Sequence, residues 1–240
     1  MISYYESLKD HLTQLAGSMM KCEISVISAR PLTPQEAIGN PDRTDFPILK
    51  GKEFLVEAIF NDKKGQAFTD MPGNFKGTLG DLIHMSLKTN FERALFIAGL
   101  NAVMCYFGKA SNTIHCKDKE PKQCAEQLPL FVKKEFGSPK IAFVGYQPAM
   151  IEKLSSHFSI RVVDLDQDNI GASRFDIVIE GPEKTEDVLS WGDLIFATGS
   201  TCVNESITTF LNKKPVVFYG TSVAGFASLY GYRRYCPFSK

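Results

Sequence analysis

The sequence predicts an α/β fold in two parts, an α+β N-terminal unit followed by a doubly wound parallel sheet. Three observations predict it. In the C-terminal half, short apolar strand runs at 141–145, 160–164, 176–179, 194–197 and 216–219 are separated by segments of helix length, which is the pattern of a parallel sheet built from βαβ units. In the N-terminal half the strand runs instead alternate apolar with polar residues, and one pair folds back on itself. Between them, residues 109–129 are polar and rich in lysine, so the division falls there, giving domains 1–115 and 116–240.

Tyr5, Leu8, Leu12 and Leu15 recur at helical spacing, so the N-terminus reads as an amphipathic helix closed by Gly17. Ile24 and Val26 alternate against polar neighbours, a strand over 22–29, and a proline-bearing connector runs from Pro31 to Pro47. Residues 54–60 alternate again, and Asn61-Asp62-Lys63-Lys64-Gly65 turns them back into 66–69 as a hairpin. A loop over 71–77, marked by Pro72, Gly73 and Gly77, leads into a helix over 79–87. Thr89-Asn90-Phe91-Glu92 has capping-box form and should open a long helix. Within it Ala94, Ala98, Gly99 and Ala102 let another backbone come close. That backbone belongs either to this chain or to a second copy, so a homo-oligomer stays open. Asn101 interrupts the apolar run and needs hydrogen-bond partners if buried; it caps a loop or faces a ligand. Residues 109–129 read as an exposed connection with room for a short helix.

At 240 residues and 44% hydrophobic, the chain can bury an ordinary core. Lys plus Arg and Asp plus Glu both number 27, a balance without the basic excess that nucleic acid or an anionic membrane requires. The longest apolar run, 94–107, is shorter than the ~20 residues of a span and contains Asn101. Glu6, Lys9, Asp10 and His11 interrupt the N-terminus, so no signal peptide is expected and the cytoplasm is the expected compartment. In that compartment the six cysteines should be reduced thiols. None forms a CxxC pair. His115, Cys116 and Cys124, with Cys236, form a loosely spaced set for zinc or another soft metal, a weak signal set against inert thiols. His11, His84 and His157 form no ligand spacing with one another and read as structural or exposed.

The chemistry points to the strand ends. The run 194–197 ends in Thr198-Gly199-Ser200-Thr201, where a helix should begin, with Asn204 and Glu205 in its first turn. In open α/β sheets that crevice takes ligands, because helix N-termini point unpaired N–H groups into it; the plain structural role of Ser200 or Thr201 is an N-cap. The neighbouring run ends in Gly220-Thr221-Ser222, and two such turns side by side can form an anion-binding rim. The first strand of the second domain ends at Gly145, with Pro148 placed for a helix start. Tyr146 and Gln147 replace the glycines of GxGxxG, which argues against a nicotinamide or flavin dinucleotide. Asp164 and Asp166 follow Gly145 by about 20 residues, the position of an acidic residue that receives a ribose, or they belong to a solvated loop. No Ser/His/Asp spacing supports a hydrolase triad. Arg233-Arg234-Tyr235-Cys236-Pro237 reads as a surface tail.

Glu92 to Ala102, the Val-Gly-x-x-Pro turn ending at Pro148, and Ala197-Thr-Gly-Ser-Thr-x-Val-Asn204 with Pro215-Val-Val-Phe-Tyr-Gly220 resemble the heavy-metal-chelation family, defined as a domain of unknown function. The resemblance spans nearly the whole chain. It implies an enolase N-terminal-like domain, a Rossmann-like domain partly similar to methyltransferases, and a site in the cleft between them. It further implies condensation or hydrolysis in making or handling a metal-chelating, pterin-like or flavin-like molecule. Carried over to this sequence, Glu92, Arg93 and Asn101 would face the cleft from the first domain, and Gly145, Thr198, Gly199, Ser200 and Asn204 from the second.

The expectation is therefore a two-domain protein that binds a small oxygen-rich molecule and acts on it. Glu92, Asn101 and Ser200 are its candidate catalytic residues, with Glu92 a base or metal-facing carboxylate whose burial raises its pKa. Gly145, Asp164, Thr198, Gly199, Ser200, Thr201, Asn204 and Gly220 are its candidate ligand-binding residues. A divalent or heavy metal is the expected cofactor class, with S-adenosylmethionine the weaker case. The competing readings are a non-catalytic metal or metal-chelate binder using His115, Cys116 and Cys124, and an S-adenosylmethionine-dependent methyltransferase resting on Gly145 and Asp164.

Overall fold

The structure, a computed structural model, describes residues 4–27, 34–211 and 213–240; the end of the expected first strand and the start of the proline connector lie outside them. Helix α1 (Tyr4–Ala16) follows its apolar spacing, burying Tyr5, Leu8, Leu12 and Ala16 on one face. Strand β1 (Glu23–Ile27) and the short helix α2 (Pro34–Ile38) come next, then the hairpin of β2 (Phe54–Phe60) and β3 (Lys63–Thr69). The hairpin turns faster than expected. Asn61 takes a left-handed conformation, φ 53°, and β3 resumes at Lys63, so Gly65 sits within a strand rather than in the turn.

The loop expected over 71–77 is partly a strand. Residues Phe75–Thr78 form β4 and pair antiparallel with β1, completing a four-stranded sheet in the order β3-β2-β1-β4. Helix α3 (Leu79–Ile83) ends earlier than its apolar pattern, and Leu87 turns left-handed at φ 55°. Helix α4 (Asn90–Tyr106) begins at the expected capping box, with Thr89 and Glu92 bonding reciprocally. Residues Ala94 to Met104 are buried all round, because β3 lies on one side of the helix and α8 (Ala224–Tyr230) on the other. A β-carbon on Gly65 would lie 2.2 Å from Ala102 N and 2.4 Å from Ala98 O. The small residues of α4 thus admit a backbone of the same chain.

The polar connection is shorter than its composition implied. A full helix, α5 (Glu120–Phe136), occupies its second part, carrying Pro121 in its first turn and a buried Pro129 inside; the polar, lysine-rich composition hid it, and the hydrogen bond that an internal proline removes is outweighed by packing. The five expected strands all form: β5 (Ile141–Val144), β6 (Ile160–Val163), β8 (Ile177–Glu180), β9 (Leu194–Thr198) and β10 (Val216–Tyr219). They join β7 (Ser173–Arg174) and β11 (Arg233–Tyr235) in a seven-stranded sheet ordered β11-β10-β9-β5-β6-β8-β7, parallel except for β7. Setting β7 aside, this is the order of a doubly wound sheet, reversing between β5 and β9. The expected surface tail is thereby corrected: Arg233–Tyr235 is the edge strand. Arg234 donates to the carbonyls of Ser111 and Asn112, and the Tyr235 hydroxyl to Cys124 O.

Alternation along each strand builds two cores. Ile141, Phe143, Leu194 and Phe196 face α5 and α6 (Pro148–Ser155), meeting Leu128, Val132, Ile151 and Leu154. Ala142, Val144, Ile195 and Ala197 face the other way, toward α1, α4, α7 (Thr185–Trp191) and α8. Both cores cross the 115/116 division, drawing Leu55 and Ile48 into the first and α4 into the second. No helix among the described residues is long and apolar enough to cross a membrane.

Candidate functional site

A cavity of about 770 Å³ lies at the carboxyl ends of β5, β6, β9 and β10, closed by residues of the N-terminal half and of the connection before α5. It sits where the strand order reverses, the place at which open α/β sheets bind ligands.

The sheet end of the cavity is built by tight turns. Gly145 leaves β5 at φ 91°, and a β-carbon there would lie 2.8 Å from Thr198 Cγ2 and 3.0 Å from Tyr219 Oη, so only glycine brings these strand ends together. Above it the Tyr219 hydroxyl donates to Val144 O at 3.0 Å and Gly145 O at 3.2 Å; burial first, then Asp164 and Glu53, push this phenol well above its ordinary range. Asp164 ends β6 and is heavily engaged. It accepts from the N–H groups of Tyr146 (2.7 Å) and Asp166 (2.9 Å) and from Asn169 Nδ2 (3.0 Å).

The expected helix after β9 does not form. Gly199–Cys202 is a single 3-10 turn, and left-handed Glu205, φ 68°, diverts the chain before a second turn at Ile207–Phe210. Thr198 Oγ1 accepts from Ser200 N, Thr201 Oγ1 donates to Thr198 O, and Asn204 Oδ1 accepts from the N–H and hydroxyl of Ser206. These three side chains therefore hold the turn. Ser200 Oγ accepts from Thr198 at 3.3 Å, keeping its own proton to donate. All eight residues expected to bind a ligand, Gly145, Asp164, Thr198, Gly199, Ser200, Thr201, Asn204 and Gly220, line the cavity.

The candidates of the first half do not. Glu92 lies outside the lining, where its carboxylate accepts from Ser86 Oγ and from the N–H groups of Lys88 and Thr89. These bonds, that from Ser86 foremost, hold it below the ordinary carboxylate range, the reverse of the expected burial and raised pKa. Arg93 is spent on the carbonyls of Val203 and Leu87 and on Asn90 Oδ1. Asn101, wholly buried, uses its amide on Gln66, Thr221, Ser222 and Gly225; it is the structural clamp that its position allowed.

The carboxyl that enters the cavity is Glu53, at the entry to β2, which sequence reasoning missed. It lines the cavity with Asp70, Asp164 and Asp166. Burial pushes it up to about 7, and the charges of Asp164, Asp166 and Asp70 add to the shift. Among the described residues no hydrogen bond or ion pair engages it. Lys50-Gly51-Lys52-Glu53 reads as a solvated turn, and only the packing of that turn against the β6 end changes its meaning.

A third wall carries His115, Cys116, Cys124 and Cys236. Burial lowers His115 to about 4, and its Nδ1 bonds Cys116 O at 2.6 Å. Burial likewise pushes Cys116 up to about 12 and Cys124 further. Among the described residues no group of three or more His, Cys, Asp and Glu is arranged to hold a metal. The other histidines are structural, each bonding through Nδ1 to the carbonyl four residues earlier.

Residues 131–229 match the family model described as "Putative heavy-metal chelation", DUF364, so the resemblance drawn from the sequence is borne out over that stretch. Among solved structures the chain is similar to a DUF364-family protein of unknown function from Pyrococcus horikoshii, with 14% identity and a TM-score of 0.56 over 91% of this chain and 79% of that one. It is also similar to a DUF364-family protein of unknown function from Desulfitobacterium hafniense, with 12% identity and a TM-score of 0.49 over 74% of this chain and 72% of that one. The first likeness establishes a shared fold. No curated protein matches the chain.

Proposed function

We propose that the protein binds a small, flat, heteroatom-bearing molecule in this cavity and acts on it by condensation or hydrolysis, Glu53 carrying the proton. The observation behind this reading is a carboxyl on the wall of a cavity at the strand-order reversal, without a partner among the described residues and raised toward neutrality by burial. Both reaction classes take a proton from water, a hydroxyl or an amine and return one to a leaving group, and a group titrating near the working pH does both well. Phe46, Phe68, Tyr146 and Phe210 line the same space and suit a flat body. Ser200 supplies a hydroxyl donor, and Gly199 and Gly220 line the wall beside it. A metal-chelating, pterin-like or flavin-like molecule meets these demands, which would connect the site with heavy-metal handling without a metal held by the chain itself. We read 1–115 and 116–240 as the enolase-like and Rossmann-like units supplying the opposed walls, working in the cytoplasm.

Direct binding of a heavy metal or its chelate is the second reading, favoured by Cys116, Cys124 and Cys236 lining one cavity. Against it, the buried thiols of Cys116 and Cys124, pushed upward, are protonated at neutral pH, and the thiolate is the ligand form. The S-adenosylmethionine reading draws less support still, because Asp164 is committed to three internal donors.

Native mass spectrometry of the purified protein tests the proposal. An organic mass that is lost on denaturation, and lost also from Ser200→Ala, is expected. A bare polypeptide, together with no thermal stabilisation by any pterin-like or flavin-like compound, would overturn it.

A further inference from the structure

The strand-end turns of this fold ordinarily receive anions, and the sequence pointed that way. The lining of the cavity opposes it. Glu53, Asp70, Asp164 and Asp166 face the space, and the one lysine or arginine among the described lining residues is Lys52. Lys52 is already occupied, by Asp168 at 2.6 Å and Asp166 at 3.7 Å. His115 carries no charge near neutrality, and β9 runs into a 3-10 turn rather than a helix whose N-terminus could attract an anion. A phosphate or carboxylate entering here would meet like charge with no free counter-charge, in a partly desolvated space where that repulsion is poorly screened.

Glu53 supplies the independent observation. Its carboxyl is half-buried, lines the cavity and has no partner among the described residues, whereas Asp70 is held by Asn90, Asp164 by three donors and Asp166 by Lys52. A carboxyl in that state costs stability unless something arrives to bond it. Aromatic residues complete the set, since Phe68 and Tyr146 line the same space and aromatic rings attract cations.

Resting on the reading of this cavity as a small-molecule site, we propose that its ligand is cationic: an amidinium or ammonium group on a flat ring, received by Glu53 with Asp70 beside it. The cation bonds the carboxyl that has no partner among the described residues and relieves the mutual repulsion of the acidic wall. Because a bound cation favours the ionised carboxylate, binding near pH 7 releases a proton from Glu53. The charged groups acting on Glu53 are Asp164, Asp166 and Asp70, and Lys52, the lysine on the same wall, is turned to Asp166 and Asp168.

Three probes of one shape and different charge test this: benzamidine, benzamide and benzoate, titrated calorimetrically into the full chain at pH 7. Benzamidine is expected to bind at least tenfold more tightly than either of the others. Its apparent enthalpy should change with the ionisation enthalpy of the buffer, as proton release demands. Glu53→Gln should weaken benzamidine at least tenfold and abolish the buffer dependence, and Asp70→Asn should weaken it severalfold, with both variants folded by circular dichroism. Benzoate binding as tightly as benzamidine, or Glu53→Gln leaving benzamidine affinity unchanged, would overturn the cationic ligand while leaving the cavity a small-molecule site. Failure of all three probes to bind also overturns it; the functional reading falls with it only if native mass spectrometry shows a bare chain as well.

Discussion

Asn101 Oδ1 accepts the backbone N–H of Gly225 at 2.7 Å, while Asn101 Nδ2 donates to the carbonyls of Gln66, Thr221 and Ser222. One side chain on α4 thus ties β3 to the turn that follows β10 and to the start of α8. Ser222 extends the tie, its Oγ accepting from Phe68 N at 2.9 Å, and both Ser222 and Phe68 line the cavity. The antiparallel half is fastened to the parallel half next to the place where a ligand would enter.

Asn101→Ala should therefore be costly. It leaves a buried N–H and several carbonyls without partners, at about 1–3 kcal/mol for each group truly stranded, so a total near 3 kcal/mol and a fall of roughly 6–12 °C in Tm are expected. Thermal unfolding by circular dichroism checks this. A fall under about 2 °C would mean the clamp is dispensable.

Gly65→Ala should be at least as damaging. The added carbon meets the backbone of Ala98 and Ala102, which no rotamer change can move, so β3 and α4 must separate and lose buried contact, at about 3 kcal/mol or more. Reduced soluble yield and a lowered denaturant midpoint are the expected signs; wild-type stability would refute so close an approach.

Glu53 makes stability depend on pH. Its folded pKa, about 7, lies above the ordinary value of 4.5, so between these values the folded state holds a proton that the unfolded state releases. Stability from this group is present below about pH 4.5 and is lost as pH rises toward 7. Glu53→Gln removes that loss, and the variant should exceed wild type in urea unfolding by on the order of 2–3 kcal/mol above pH 7, with the difference shrinking toward pH 5. A difference that grew as the pH fell would contradict the raised pKa.

Thiol reactivity reports on the third wall. Cys116 and Cys124 are buried, while Cys22, Cys105 and Cys236 keep some exposure; with burial also holding the first two protonated, iodoacetamide at pH 8 should label them far more slowly. Peptide mapping over time measures the order. Rapid labelling of Cys116 that cadmium blocks would instead favour direct metal binding.

The legible parts were those whose cause is local. The capping box at Thr89 and Glu92, the five apolar strand runs and the helical spacing of Tyr5, Leu8 and Leu12 each rest on interactions within a few residues, so the reading matched the structure. The misread parts depend on distant neighbours. Arg233–Tyr235 looked like a tail because β10, which pairs with it, is contributed by residues some distance away in the chain. Residues Phe75–Thr78 looked like a loop because their partner β1 lies far upstream. Residues 120–129 looked like an exposed connection because their polar, lysine-rich composition is visible in sequence and the burial of Cys124, Ala125, Leu128 and Pro129 is not.

The site divides in the same way. That the strand ends at Gly145, Asp164, Thr198 and Gly220 would converge follows from the alternation of strands and crossovers, since a parallel sheet brings every carboxyl end to one edge. The sequence by itself therefore determined the fold class, the five apolar strands of the parallel sheet and the edge at which their carboxyl ends gather. It could not choose between Glu92 and Glu53. Both are single acidic residues near an element's start, and what separates them is whether the carboxylate finds local N–H and hydroxyl donors, as Glu92 does, or is carried by tertiary packing into a cavity among other carboxylates. Burial and charge–charge repulsion act through space between residues remote in sequence, so only the tertiary structure decided which acid faces the cavity.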